Sequence, residues 1–554
     1  MRRGAYYSAL VSTDSFAEDP PPSASPPGPP RRRLAFSTAI FAGATALSRV
    51  AGLGREVVQA SFFGTSAAGS AFTVASQIPN LFSNLFSQAA LSGAFVPVFT
   101  DLIQQGRKKE AFKLASELFW LILVGLGALT VIWMGVADLV IPLFTGTLHG
   151  AAVSLTVGLS QILFPVVLLL SITGLLVGIL QSYDEFTMSA LAPAVWNVVI
   201  IVLLVVLHGQ YHGQEAIYAY AIAWLVATVV QMLLIAWAVR KVDFRLQMRI
   251  NWRDPRIRQV LVLFVPVTVS IGVINIDIFL NAGLGTLVSV HAPIAINDAF
   301  RIYMLPQGIF SVAVATVLFP TLSRMAARRD VSAMRHTLGN GIRQITLLLV
   351  PSAALMAVLA TPITRLVYQR GAFGPGSTQL VSTALFWFAF SLPFAGVNLL
   401  LSRTFFALKR PWIPTKLAAI NVVVDVIVSL ALYKPLGVAG LLIGTLAANV
   451  VMAVLQFQRL RIGLNGRLEV GQTAMITARI LVATGISTTI GWLLWTGLDA
   501  VLGRSVVAQL ITMVIALTAA GVIYAWLVLL MRIPEARQIE SLIMGRFRRG
   551  PATV

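Results

Sequence analysis

The clearest ionisable side chains inside otherwise apolar stretches are Arg49, Arg55, Glu56, Glu117, Asp277, Asp298, Arg301 and Asp425. A charge at the centre of a hydrocarbon layer costs at least about 2.5 kcal/mol, so each needs a partner or a task. Arginine offers a planar fork of donors that matches two phosphate oxygens at once and keeps its charge at any relevant pH. In the segment Ser48-Arg-Val-Ala-Gly-Leu-Gly-Arg-Glu56, a straight helix puts Arg49 and Glu56 on one face and turns Arg55 away by about 120°. Gly52 and Gly54 are expected to loosen that helix so that both guanidiniums converge on a cavity, where a pyrophosphate would fit them. The same residues also allow a structural Arg49–Glu56 pair, or snorkelling to an interface. Arg301, in the matching helix of an internal repeat, favours the cavity.

A second group is rich in oxygen. Asn421 and Asp425, spaced i and i+4, share a helix face, where an amide oxygen and a carboxylate could hold a hard cation, with Asp277 as a second carboxylate. Na⁺ or an exchangeable proton suits such a site, and interhelical hydrogen bonding explains the spacing as well. Enzyme chemistry finds no support. The chain has no cysteine, its five histidines are scattered, no carboxylates are paired near a loop, and no G-x-x-x-x-G-K-[ST] loop is present for ATP. No catalytic residue and no cofactor are expected, beyond a possible Na⁺ coupling ion.

A membrane must position these groups. Of 554 residues 57% are hydrophobic and 11% charged, with a mean hydropathy of +0.84, which excludes a string of soluble domains. Apolar runs predict an all-α polytopic protein of fourteen transmembrane helices near 35–61, 68–103, 110–141, 152–181, 186–208, 214–240, 258–283, 293–323, 333–360, 376–407, 413–433, 437–459, 470–496 and 504–531. The formal net charge of +20 would suggest nucleic acid in a soluble protein. Here Lys and Arg gather in alternate loops, while loops 62–67, 142–151, 209–213 and 284–292 have none. That alternation orients the bundle with both termini cytoplasmic and attracts anionic membrane lipids, so nucleic acid is excluded as a partner. Thirteen spans would strand Arg532, Arg537, Arg546, Arg548 and Arg549 on the wrong side. Residues 1–34 read as a disordered Pro-rich cytoplasmic tail without the apolar core of a signal peptide, and 532–554 as a basic cytoplasmic tail.

Ala71-Phe72, Pro79 and Phe95-Val-Pro97 in the second span are echoed by Ala299-Phe300, Pro306 and Phe319-Pro320 in the eighth, and Pro193-Ala-Val-Trp-Asn197 by Leu417-Ala-Ala-Ile-Asn421. The matched helices lie six spans apart. Two parallel six-helix lobes follow, 35–240 and 241–460, with a further helix pair at 461–531, and substrate is expected between the lobes.

Several motifs resemble the MurJ/MviN family of lipid II flippases. They are Ser48 to Glu56, Phe63-Gly, Ile78-Pro-Asn-Leu81, Gly93-Ala-Phe-Val-Pro97, Met304-Leu-Pro-Gln-Gly308, Leu318-Phe-Pro-Thr-Leu-Ser323, Gln369-Arg-Gly-Ala-Phe373 and Arg403 to Lys409 with Pro414-Thr-Lys416. Their order spans about residues 35 to 530. The resemblance implies the multidrug/oligosaccharidyl-lipid/polysaccharide exporter fold, a bacterial inner-membrane location and outward movement of the undecaprenyl-pyrophosphate peptidoglycan precursor by alternating access.

The resemblance also implies roles. Arg49, Arg55 and Arg301 match cavity arginines that grip the pyrophosphate, and Glu56 stands where an aspartate is usual. Asp277, Asn421, Asp425, Thr445 and the backbone of Leu441 match a sodium site, and the last two helices a groove for the lipid tail. Two positions depart from the pattern: Ser70 replaces an expected carboxylate, and Ser83 or Asn84 an expected arginine. Those departures keep another polyprenyl-linked glycolipid open as substrate. A small-molecule cation antiporter, or a non-transporting scaffold that recruits cell-wall synthesis proteins through its tail, are the readings from other classes.

Overall fold

The computed structural model describes residues 31–86, 88–146, 148–183, 185–210, 213–248, 254–258, 260, 280–464, 469–538 and 540. In chain order the helices are α1 (Arg31–Phe63), α2 (Ala67–Phe86), α3 (Gln88–Gln104), α4 (Lys108–Val140), α5 (Ala151–Leu163), α6 (Pro165–Ser182), α7 (Thr187–His208) and α8 (Ile217–Val239). They continue with α9 (Ala292–Pro306), α10 (Val312–Ala327), α11 (Val331–Val358), α12 (Ala360–Tyr368), α13 (Pro375–Ala407), α14 (Trp412–Leu436), α15 (Val438–Gly463), α16 (Val470–Leu502) and α17 (Val506–Leu530). No strand occurs among the described residues.

Among the described residues, eleven helical stretches are long and apolar enough to cross a membrane. The first expected span is α1 and the second is shared by α2 and α3, while most of the seventh, 258–283, lies outside the described residues. Only α-helices and closed β-barrels satisfy every backbone group without water, and long continuous apolar runs suit the helix. Polar punctuation sets the boundaries: the side chain of Asp330 accepts the Ala333 N–H at the start of α11, and Ser505 accepts that of Ala508 at the start of α17.

Among the described residues the first lobe packs around three centres, one of them Ile78, Trp133 and Val157 between α2, α4 and α5. Phe72, Tyr220 and Trp224 join α2 to α8, and Phe95, Phe99, Leu118 and Ile179 join α3, α4 and α6. The second lobe has one continuous core from α9 to α15, including Ile302, Ile345, Leu385 and Leu441. The pair α16–α17 docks on α11 through Leu347, Ile476, Ile480 and Leu527. Val131, Val202, Val317, Val423, Ile427 and Trp526 are all exposed, as a lipid-facing surface requires.

Contrary to expectation, Gly52 and Gly54 do not loosen the first helix, because α1 is unbroken from Arg31 to Phe63. They serve packing. A methyl group on Gly52 would meet the Asn197 amide at 3.7 Å, and one on Gly54 would meet Ile201 at 3.8 Å, so both glycines face α7. The eighth span does contain an irregularity, a π turn at Gln307–Ser311 between α9 and α10.

Candidate functional site

Arg55 and Glu56 are buried side by side in the middle of the bundle and form a direct ion pair. Arg301 reaches the same carboxylate from α9, with its Nε 3.4 Å from Glu56 Oε1. Two guanidiniums, one from each lobe, therefore share one carboxylate. The Arg55 guanidinium lies 4.9 Å from the Trp196 ring and 5.4 Å from the Trp224 ring, a cation–π arrangement that holds the fork in place without neutralising it.

Arg55, Arg301, Trp196 and Trp224 line a cavity of about 450 Å³ between α1, α2, α7, α8 and α9, with Asn80, Asn197 and Asn297 among its polar walls. Arg55 Nε, Asn197 Oδ1 and Trp224 Nε1 are shielded from solvent there and have no hydrogen-bond partner. Orphaned polar atoms are costly, and several around one cavity mark where a polar ligand would complete the set. Arg49 is exposed rather than paired with Glu56, which removes the structural pair as its role. It points across to the π turn, where a methyl on Gly308 would come within 3.1 Å of its Nη1.

Asp298, one turn before Arg301, is buried with Oδ2 unpartnered, and its carbonyl accepts the Tyr368 hydroxyl at 3.2 Å. Ser70, at the position of an expected carboxylate, is fully buried with its hydroxyl unpartnered, and Ser83 is buried too. Glu117 lies by Lys113 at 3.7 Å.

The oxygen-rich group gathers around Asp425 on α14. One carboxylate oxygen accepts from Asn281 Nδ2 at 2.8 Å, and the other from Ser429 Oγ at 3.1 Å and Thr445 Oγ1 at 3.5 Å. Ser429 also donates to the Leu441 carbonyl at 3.2 Å. Asn421 is buried one turn earlier, and Asp277 lies outside the described residues. Carboxylate, hydroxyl and carbonyl oxygens are a donor set suited to a hard monovalent cation. No cluster of three or more His, Cys, Asp or Glu side chains with metal-binding geometry occurs among the described residues.

A further buried arginine escapes the sequence reading. Arg343 in α11 binds Glu469 through Nη1 at 2.8 Å and Glu535 through Nε, and Glu469 also meets His336 Nδ1 at 3.0 Å. Burial would raise the Glu469 carboxyl, but hydrogen bonds from Arg343 and His336 outweigh it and hold the group below its ordinary range. Trp196, Trp224 and Asn281 carry no sequence signal as site residues, because apolar span-filling explains tryptophan and interhelical bonding explains asparagine.

Two helical lobes around an arginine-lined cavity define a multi-pass membrane transporter. The chain belongs to the family described as lipid II flippase MurJ, whose sequence profile matches residues 59–503. It is 30% identical to the probable lipid II flippase MurJ of Rhizobium meliloti, over 76% of this chain and 79% of that one. It is 31% identical to the lipid II flippase MurJ of Burkholderia cenocepacia, over 76% and 82%. A solved structure of lipid II flippase MurJ in an inward closed conformation shares the fold, with a TM-score of 0.75 and 22% identity over 89% of this chain and all of that one. An inward-facing MATE-family multidrug transporter has the same architecture at a TM-score of 0.64 and 17% identity, covering 77% and 98%.

Proposed function

We infer that this chain is a lipid II flippase that moves the pyrophosphate-linked precursor from the inner to the outer leaflet of the bacterial plasma membrane. The observation that carries the reading is the meeting of Arg55 and Arg301, from different lobes, on the single carboxylate of Glu56 beside a cavity with unpartnered polar atoms. An incoming pyrophosphate competes for both forks, since its oxygens accept the same bidentate hydrogen bonds as a carboxylate and carry more charge. Binding the headgroup thus loosens the tie between the lobes. In the cycle, the basic end faces the cytoplasm and admits the headgroup, the lobes rock about the cavity, and the polyprenyl chain stays in lipid along α16 and α17. Arg49 at the lobe boundary adds a cation along the route.

Na⁺ at Asp425, Asn421, Thr445 and the Leu441 carbonyl, with Asp277, would reset the carrier by favouring one lobe arrangement. A ligand shifts such an equilibrium only through its difference in affinity between the two states. The buried Ser70, in place of a carboxylate, favours as a second reading a related polyprenyl-linked glycolipid.

The test is rescue of a bacterium depleted of its own lipid II flippase, with precursor followed at the outer surface. The chain should restore growth and outer-leaflet lipid II, whereas its Arg49→Ala, Arg55→Ala and Arg301→Ala forms should not, with cytoplasmic synthesis unchanged. Normal flipping by all three would overturn the assignment. Unchanged Na⁺ dependence in a normally flipping Asp425→Ala protein would remove the cation site.

A further inference from the structure

The pyrophosphate reading gives no task to Gln369-Arg-Gly-Ala-Phe373, which follows α12 at the sparsely charged end of the bundle. Each of its residues is engaged. Gln369 accepts the Thr378 hydroxyl at 3.0 Å, Arg370 donates to the carbonyls of Leu366 and Val367 at 2.8 and 3.0 Å, and Phe373 is buried against Tyr368. Together these contacts hold Gly371 and Ala372 rigidly against the other lobe, where the Ala372 N–H donates to the Ser61 carbonyl at the end of α1, 2.8 Å away.

Two glycines make this contact possible. Gly371 has φ +56°, and a methyl group there would lie 2.3 Å from the Ser61 carbonyl oxygen. Gly64, across the contact, has φ +52°, and its methyl would lie 2.6 Å from the Ala372 oxygen. Both obstacles are backbone atoms, so no side-chain rotation relieves them, and both dihedrals are unfavourable for any residue with a Cβ. Thr65 completes the seam: its hydroxyl lies 2.8 Å from that of Ser377, and its carbonyl accepts from His291 Nδ1 at 2.5 Å.

We propose that Gly64 and Gly371 are positioning residues of the transport cycle, a backbone interlock that closes the outer gate and fixes the state in which the cavity is loaded from the cytoplasm. The proposal rests on the flippase reading for the direction of transport, but the interlock is a property of the lobes alone. Side-chain hydrogen bonds could be replaced by water when the gate parts, whereas the glycine contact is all or none. A Cβ at either position must push the lobes apart, so Gly371→Ala shifts the balance between closed and open gate by about tenfold towards open, the scale of one left-handed residue's penalty.

The absence of cysteine makes the test direct. Thr65→Cys with Ser377→Cys places two thiols where the hydroxyls lie 2.8 Å apart, close enough to join with small adjustment. In membrane vesicles this pair should oxidise rapidly, and the disulfide should stop lipid II flipping until it is reduced. Adding Gly371→Ala or Gly64→Ala should slow oxidation, by up to about tenfold as the open gate comes to predominate, and lower flipping. Gly374→Ala, in the same loop with open space around it and no positive φ, is the control and should change neither. Oxidation at the parental rate in both glycine variants would overturn the interlock, as would equal slowing in the control. Thermal unfolding of each variant separates a parted gate from a misfolded protein, since only misfolding abolishes the cooperative transition. Slowed oxidation in a chain that moves no lipid II would leave the interlock standing and overturn the flippase reading instead.

Discussion

Arg55 and Arg343 are both buried arginines beside carboxylates, and the way each is used differs. Arg343 is one cation between two anions, its Nε and Nη1 taken by Glu535 and Glu469. Both partners come from the segments flanking α16 and α17, so the cluster clamps the C-terminal helix pair to α11, helped by Tyr524 donating to the Leu347 carbonyl at 2.6 Å. At Arg55 the ratio is reversed: two cations touch one anion, a fork nitrogen is unpartnered, and a cavity adjoins. A saturated cluster stabilises an arrangement, whereas one with surplus positive charge facing a void is arranged to receive a negative charge.

The contrast predicts that the two arginines fail differently. Arg343→Ala leaves Glu535 buried without its cation, a loss of about 3 to 5 kcal/mol for a broken buried pair, to be read as a lower unfolding midpoint with loosened C-terminal helices. Binding of precursor to the remaining folded protein should be unchanged. Arg301→Ala should weaken flipping by about ten- to a hundredfold, the worth of a charge-assisted hydrogen bond, with little change in the unfolding midpoint. Equal losses of stability in both variants would erase the distinction.

Acid should affect the clamp in a smaller, graded way. The folded Glu469 carboxyl titrates below its unfolded value of about 4.3. Its contribution is therefore complete above that pH and is lost as pH falls through the lower folded value. Protease sensitivity of the α15–α16 connection should rise below about pH 4, and Glu469→Gln should remove that rise. Least of all, Gly52→Ala should alter stability by under about 0.5 kcal/mol, because the methyl meets Asn197 at an ordinary contact distance. A large loss there would restore hinge bending in α1 as the explanation for its glycines.

Much of the architecture is legible in the sequence because lipid leaves the backbone few options: the apolar runs and the alternating Lys and Arg mark most spans. Arg55, Glu56 and Arg301 stand out for the same reason, as charges where charge is expensive. Arg343 does not stand out, since it lies in the first half of the expected span 333–360, after a basic loop and the polar run Gly339-Asn-Gly, and reads as a cation near the membrane edge. Its partners lie 126 and 192 residues further along the chain, and no local pattern links them. The alternative pairing of Arg49 with Glu56 is not formed although the two share a helix face: Arg55 and Arg301 occupy the Glu56 carboxylate, and Arg49 is exposed.

The π turn at Gln307–Ser311 has a geometric consequence of its own. Each extra residue in a helical turn rotates everything beyond it by about 100°. The eighth span is thus two rods set out of phase, one carrying Arg301 to the cavity and the other aiming Phe319 at Arg403, 5.8 Å from its ring. Deleting one residue within the wide turn would bring the rods back into step and swing Phe319 off its partner, so a single helix serves two unrelated neighbours only because its winding slips once.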